Sequence, residues 1–134
     1  LREKMKTMYG ETLSLKQFGV EEPKEHDDFL ARYIEIVKAN ISNPELDVSV
    51  IYEALGMSRT NFYRKVKTVT GLSPIELIKN IRLEAGAKLL KESDMNVSEI
   101  AQHIGFSSRS YFARSFKAVY GMSPTEYQET ESQN

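Results

Sequence analysis

One stretch of this chain is written twice, and no other feature narrows its possible folds so far. VSVIYEALGMSRTNFYRKVKTVTGLSP over 48–74 aligns with VSEIAQHIGFSSRSYFARSFKAVYGMSP over 97–124. Val48-Ser49 pairs with Val97-Ser98, Gly56 with Gly105, Phe62 with Phe112, Arg64 with Arg114 and Lys67 with Lys117. Gly71-Leu72-Ser73-Pro74 pairs with Gly121-Met122-Ser123-Pro124. The first pair of glycines stands 49 residues apart and the second 50, so the second copy carries one extra turn residue. The chain therefore contains one supersecondary unit in two copies.

Each copy spells helix, tight turn, helix, stop. Ser49 and Ser98 are expected to cap the first helix by accepting a bond from an orphan backbone N–H. Ile51, Ala54 and Leu55 form its apolar stripe in one copy, and Ile100, Ala101 and Ile104 in the other. Gly56 and Gly105 end that helix in the left-handed conformation, and Met57 and Phe106 plug the angle that follows. The second helix starts near Ser58 or Ser108 and stops at Gly71 or Gly121. Ser73-Pro-x-Glu76 and Ser123-Pro-x-Glu126 are capping boxes with proline at the first helical position, so a further helix begins after each copy.

The helix after Pro74 is expected to run to about Glu92, with Ile75, Ile78, Ile81, Leu83, Ala85, Leu89 and Leu90 able to bury against both halves. Its length of about 28 Å is close to the roughly 34 Å between successive major-groove faces, which suits a strut between two reading heads. Upstream, Phe29, Leu30, Tyr33, Ile34, Val37 and Ile41 recur at helical spacing. Asp27 or Asp28 would cap that helix, and Asn43-Pro44 would end it. Residues 1–26 are expected to be a linker, with a short helix over 1–9, and 129–134 a disordered tail. The domain between them spans 27–128, with helix-turn-helix units at about 48–72 and 97–122 and the connecting helix at about 74–92. The fold class is all-α, with about seven helices.

On a helical wheel stepped at about 100° per residue, Phe62, Val66 and Val69 gather opposite Thr60, Tyr63, Arg64 and Lys67. In the second copy Phe112, Phe116 and Val119 oppose Ser110, Ala113, Arg114 and Lys117. Arg59 and Arg109 sit in the first turns. Guanidinium groups suit guanine edges or phosphates, and short side chains permit close approach to thymine methyls. A single basic stripe is most often just a solvated face; two copies of it behind the same glycine turn favour recognition. Tyr63 is equally a rim residue over the core or a reader. Tyr111 lies off the stripe and is assigned to packing, and His103 to a partly buried helix position. The acidic run from Glu21 to Asp28 is a solvated linker or a segment folded back on the basic surface.

A net charge of −1, taken alone, is ill suited to a polyanionic partner, but its distribution answers that. From Val48 to Tyr127 eleven basic side chains face seven acidic ones, a local +4 between acidic flanks, and it is the local field that steers a phosphate backbone. The absence of cysteine removes disulfides, thiolate zinc sites and cysteine nucleophiles and suits a reducing cytoplasm. The two histidines, His26 and His103, have no metal-ligand spacing around them. No paired carboxylates, glycine-rich phosphate loop or serine–histidine constellation occurs, so no catalytic residue, cofactor or metal is expected. Nor is there an apolar run of spanning length or a signal segment. The chain begins at Leu1 and is read as an excerpt of a longer polypeptide.

From about Phe29 to Tyr127 the sequence resembles the AraC/XylS family of bacterial regulators, and IAQHIGFSSRSYFARSFKAVYGMSPTEY looks very like that family's signature. The resemblance implies seven helices in a homeodomain-like arrangement, two helix-turn-helix units joined by a long central helix and inserted into adjacent major grooves. Its base-contacting places fall on Arg59, Thr60, Tyr63 and Arg64, then on Arg109, Ser110, Ala113 and Arg114. Lys67 and Lys117 fall on backbone-contacting places. Ala113 departs from a polar reader, so its base contact is apolar or absent. The stretch from Asn40 to Leu90, with its upstream linker, is also similar to the C-terminal end of hybrid two-component systems. That likeness implies a cytoplasmic output domain whose parent is an inner-membrane sensor carrying a histidine kinase; activator is the working assignment, with repression left open. The partners implied are double-stranded DNA, RNA polymerase and a second copy through the parent protein, with no small-molecule ligand in this domain. The competing reading is a helical module that docks proteins without binding DNA.

Overall fold

A computed structural model describes residues 24–130, with side chains from 28 onward. Of the expected linker over 1–26, residues 1–23 with the short helix over 1–9 lie outside the described residues, whereas 24–26 already belong to the first helix; of the expected tail over 129–134, Glu129 ends the last helix and 131–134 lie outside. Seven helices and no strand occur among the described residues: α1 Lys24–Ala39, α2 Val48–Ala54, α3 Arg59–Thr70, α4 Pro74–Glu92, α5 Val97–His103, α6 Arg109–Tyr120 and α7 Pro124–Glu129. The all-α class is as expected. Two compact units divide the chain, and α4 contributes its residues up to Ile81 to the first and those from Arg82 to the second.

The first unit holds α1, α2, α3 and the start of α4. Its core draws Phe29, Leu30, Tyr33, Ile34 and Val37 from α1, Val48 and Ile51 from α2, Phe62, Val66 and Val69 from α3, and Leu77, Ile78 and Ile81 from α4. Tyr33 and Phe62 stack at the centre, ring centroids 5.5 Å apart, a contact that adds to their area burial. The Tyr33 hydroxyl donates to the Pro74 carbonyl at 2.9 Å, so its one polar atom is satisfied inside an apolar core. Burial, and then the neighbouring Tyr63, push the Tyr33 phenol well above its ordinary range.

In the second unit Ile41–Glu45 joins the rest of α4 with α5, α6 and α7. Leu83, Ala87 and Leu90 pack with Val97, Ile100, Ala101, Ile104, Phe106, Phe112 and Phe116. Arg82 is buried there as well, 7% exposed. Its guanidinium donates to the Gly105 carbonyl and, at 2.7 Å, to the Asn43 carbonyl. The Gly105 acceptor lies just past the C-terminus of α5, where the helix dipole favours a cation. Desolvation still lowers the Arg82 pKa, with Tyr111 acting in the opposite sense.

Several local expectations need correction. Helix α1 already contains Asp27 and Asp28, so neither caps it, and it ends at Ala39, leaving Ile41 in the second unit's packing. The caps of α2 and α5 are Asp47 and Asn96, not Ser49 and Ser98; Asp47 accepts from the Ser49 N–H, and Asn96 forms a full capping box with Glu99. Ala54 is exposed, and Tyr52 packs on the core in its place. Ile75 is 67% exposed while Leu77 is fully buried. His103 is exposed. The extra residue of the second copy falls where it was expected: four residues separate α2 from α3, and five separate α5 from α6.

Candidate nucleic-acid interface

Helices α3 and α6 are 12 residues each, and their surroundings specify both ends. Ser58 accepts from the Asn61 N–H at 3.2 Å and Ser108 from the Tyr111 N–H at 3.0 Å. Gly71 and Gly121 close them in the left-handed conformation, φ 78° and 81°, each donating back to the lysine at 67 or 117. One side of each helix is fixed by burial: Phe62, Val66 and Val69 in α3, Phe112, Ser115 and Phe116 in α6. The opposite side then has to face solvent.

On α3 that side carries Arg59, Thr60, Arg64 and Lys67, all exposed, with Tyr63 half-buried. Tyr63 is a rim residue that also offers a platform: its ring meets Phe62 at 6.0 Å, and the Arg59 guanidinium lies 4.5 Å above it, a cation–π pair. Arg64 Nη1 donates to Asn61 Oδ1 at 3.1 Å, and Lys67 Nζ to the Gly71 carbonyl at 3.2 Å. On α6 Arg109, Ser110, Arg114 and Lys117 are exposed and Ala113 is half-buried. Arg109 Nη1 reaches Ser98 Oγ of α5 at 3.4 Å. Tyr111 stays 40% exposed and packs its ring on Phe106 at 5.2 Å.

The two units repeat one further electrostatic detail. In the boxes that begin α4 and α7, Ser73 N–H donates to Glu76 Oε1 at 2.9 Å and Ser123 N–H to Glu126 Oε1 at 2.8 Å. These backbone bonds, then the serine hydroxyls, hold both carboxyls below the usual carboxylate range, and Lys67 and Lys117 add to the same effect. The lysine ending each outward ridge therefore lies within the field of the next helix's capping glutamate.

Two residues of this surface were missed in the sequence. Asn61 flanks the ridge and holds Arg64, a partnership that the i, i+3 spacing on a helix signals. Ser98 was assigned to a cap and instead meets Arg109; no sequence spacing points to that contact. Conversely, Arg82 counted toward the local basic charge but is buried. Among the described residues no cluster of three or more His, Cys, Asp or Glu could hold a metal ion, and no helix is long and apolar enough to cross a membrane.

Two glycine-turned helix pairs, each presenting a basic second helix, define a duplicated helix-turn-helix protein. The helix-turn-helix domain family matches residues 51–130, and the chain belongs to it as an AraC-type DNA-binding domain. Histidine kinase P4 of Formosa agariphila is 35% identical over 107 residues, which are 80% of this chain and 8% of that protein. The chain therefore spans less than a tenth of that relative's length. The C-terminal domain of AraT, a response regulator from Geobacillus stearothermophilus, superposes with TM-score 0.68 at 29% identity, covering 79% of this chain and 88% of that one. The DNA-binding domain of AdpA, a global transcriptional factor solved in complex with a target DNA, superposes with TM-score 0.65 at 27% identity over 77% and 88%.

Proposed function

We propose that this chain is the sequence-specific DNA-reading output domain of a bacterial transcription regulator, one unit reading each of two adjacent major-groove segments. The observation that carries the proposal is the shared ridge: Arg59, Arg64 and Lys67 recur as Arg109, Arg114 and Lys117 at one constant offset, all exposed on helices whose other side is core. An all-protein adaptor has no physical need for guanidinium groups at matched outward positions. A reader of guanine edges and phosphates does.

Within this proposal Arg59, Thr60, Tyr63 and Arg64, with Arg109, Ser110, Ala113 and Arg114, face the bases. Lys67 and Lys117 face the phosphate backbone. Exposure of the cations and hydroxyls supports these roles; half-buried Ala113 suits an apolar contact to a thymine methyl or none. The domain is taken as 27–128, with reading units at about 48–72 and 97–122. The likeness to a histidine kinase and to a response regulator's C-terminal domain supports a parent in a two-component system. On that view a kinase and receiver lie upstream in an inner-membrane sensor, this domain works in the cytoplasm, and signalling pairs two copies and brings them to RNA polymerase as an activator.

The test is selection of binding sites from random duplexes, followed by footprinting of this chain on the selected site. Two protected patches about one helical turn apart are expected, with affinity falling steeply as salt rises because phosphate contacts release counterions. Salt-insensitive binding, or no binding to any duplex, would refute the proposal.

A further inference from the structure

We infer that Asn61, beside the outward ridge of α3, is a positioning residue for Arg64: its side-chain carbonyl presets the guanidinium and sharpens base choice by the first unit. The inference deepens the DNA-reading proposal and rests on it. Asn61 is exposed, and its backbone N–H is engaged by the Ser58 cap at 3.2 Å, which fixes the base of the side chain. From there Oδ1 accepts from Arg64 Nη1 at 3.1 Å.

An unrestrained arginine loses rotamer freedom when it seats on a base, and that loss subtracts from affinity for the correct partner. A tether made before binding removes part of the loss. It engages one Nη1 hydrogen and leaves other N–H groups of the planar fork for guanine O6 and N7. Arg59, stacked on Tyr63 at 4.5 Å, is preset on the same helix in a different way. In the second unit the matching position is Tyr111, whose ring packs on Phe106, so Arg114 has no carboxamide three residues before it. The base read through Arg64 should accordingly be selected more sharply than the one read through Arg114.

The experiment uses the full chain and selected duplexes. The base pair whose preference disappears in Arg64→Ala is identified, and the affinity ratio between preferred and substituted duplex is measured for each variant. Asn61→Ala is expected to lower that ratio about fivefold, the worth of one net hydrogen bond, with non-cognate affinity and salt dependence unchanged. Asn61→Asp keeps the acceptor and should retain the ratio while weakening binding to every duplex. In the Arg64→Ala background Asn61→Ala should change nothing. A uniform loss over all duplexes, a gain in affinity, or an Asn61→Ala effect that persists without Arg64 would overturn the inference. Wild type that discriminates, beside Asn61→Ala discriminating equally well, removes this inference alone; wild type with no base preference removes the DNA-reading proposal with it.

Discussion

Gly56 and Gly105 occupy matched places in the two repeats, both in the left-handed region at φ 70° and 87°, yet the same substitution should affect them unequally. A Cβ at Gly56 meets nothing within 4 Å. Gly56→Ala therefore carries only the backbone penalty, about 1–2 kcal/mol, offset by about 0.4–1 kcal/mol from the stiffer unfolded chain. A net loss of about 1 kcal/mol is expected. At Gly105 the new Cβ would overlap the Ile41 carbonyl and Arg82 Nη1, and come within 2.7 Å of Arg82 Cζ. To make room, the buried guanidinium has to leave the Gly105 carbonyl, a charge-assisted bond worth about 1.5–3 kcal/mol. Gly105→Ala should thus lose about 2 kcal/mol more than Gly56→Ala. Urea unfolding followed by far-ultraviolet circular dichroism suits a chain without tryptophan, and at a slope of about 1–3 kcal/mol/M the two midpoints should separate by about 1 M. An Arg82→Met background should shrink the gap without closing it, because one of the two colliding groups is gone while the Ile41 carbonyl stays, and the two changes couple. Equal midpoints for the two alanine variants, or a gap unaltered by Arg82→Met, would refute this account of the turn.

Arg64→Ala and Arg114→Ala should each weaken binding to a selected duplex by about 1–3 kcal/mol and relax choice at one base position; direct titration checks this, and a loss shared equally with random duplexes would show phosphate contact only. Lys117→Ala should instead weaken binding to every sequence and lower the salt slope by about 1, read from affinities across a salt series. The folded-state values of Glu76 and Glu126 lie below the ordinary carboxylate range, so their contribution is complete above the unfolded value, about 4.3, and is lost as pH falls through the folded values. Melting temperature should drop on that acid side, less steeply in a Glu76→Gln, Glu126→Gln variant; identical acid limbs would count against the capping boxes as its source. Asn96→Ala should destabilise by about 1 kcal/mol and Ser98→Ala by less in chemical denaturation; the reverse order would restore Ser98 as the cap.

Much of this architecture is legible because its punctuation is chemical. Serine before and glycine after α3 and α6, and Ser-Pro-x-Glu before α4 and α7, satisfy orphan backbone groups in ways that few other residues can. The misassignments have physical causes too. Asp47 and Ser49 are both good capping residues two positions apart, and Val48, buried at 8% exposure, had to be inside the helix for the cap to fall on Asp47. The Asn96-x-x-Glu99 box is legible in the sequence, and the repeated Val-Ser pair beside it is a competing signal. Helix α4 serves two cores in succession, so its apolar residues follow no single stripe, and Ile75 could not be told from Leu77 by spacing. Buried Arg82 is unreadable locally, since its acceptors lie 39 and 23 residues away. On the reading surface, the ridge residues followed from the wheel, whereas the contact between Arg109 and Ser98 depends on tertiary approach.

The Arg82 bond to Asn43 also bears on how such chains can be cut and recombined. Residues Ile41–Glu45 belong to the second unit although they precede the whole first copy of the repeat. A hybrid built by joining two relatives at Pro74 would give the downstream half a foreign stretch in place of its own Ile41–Glu45, whose backbone can still offer Arg82 a carbonyl but whose side chain at 41 need not fit the second core. Grafting should succeed when that pentapeptide travels with its distant partner, so the modules of this protein are interleaved along the chain and cannot be exchanged as simple blocks.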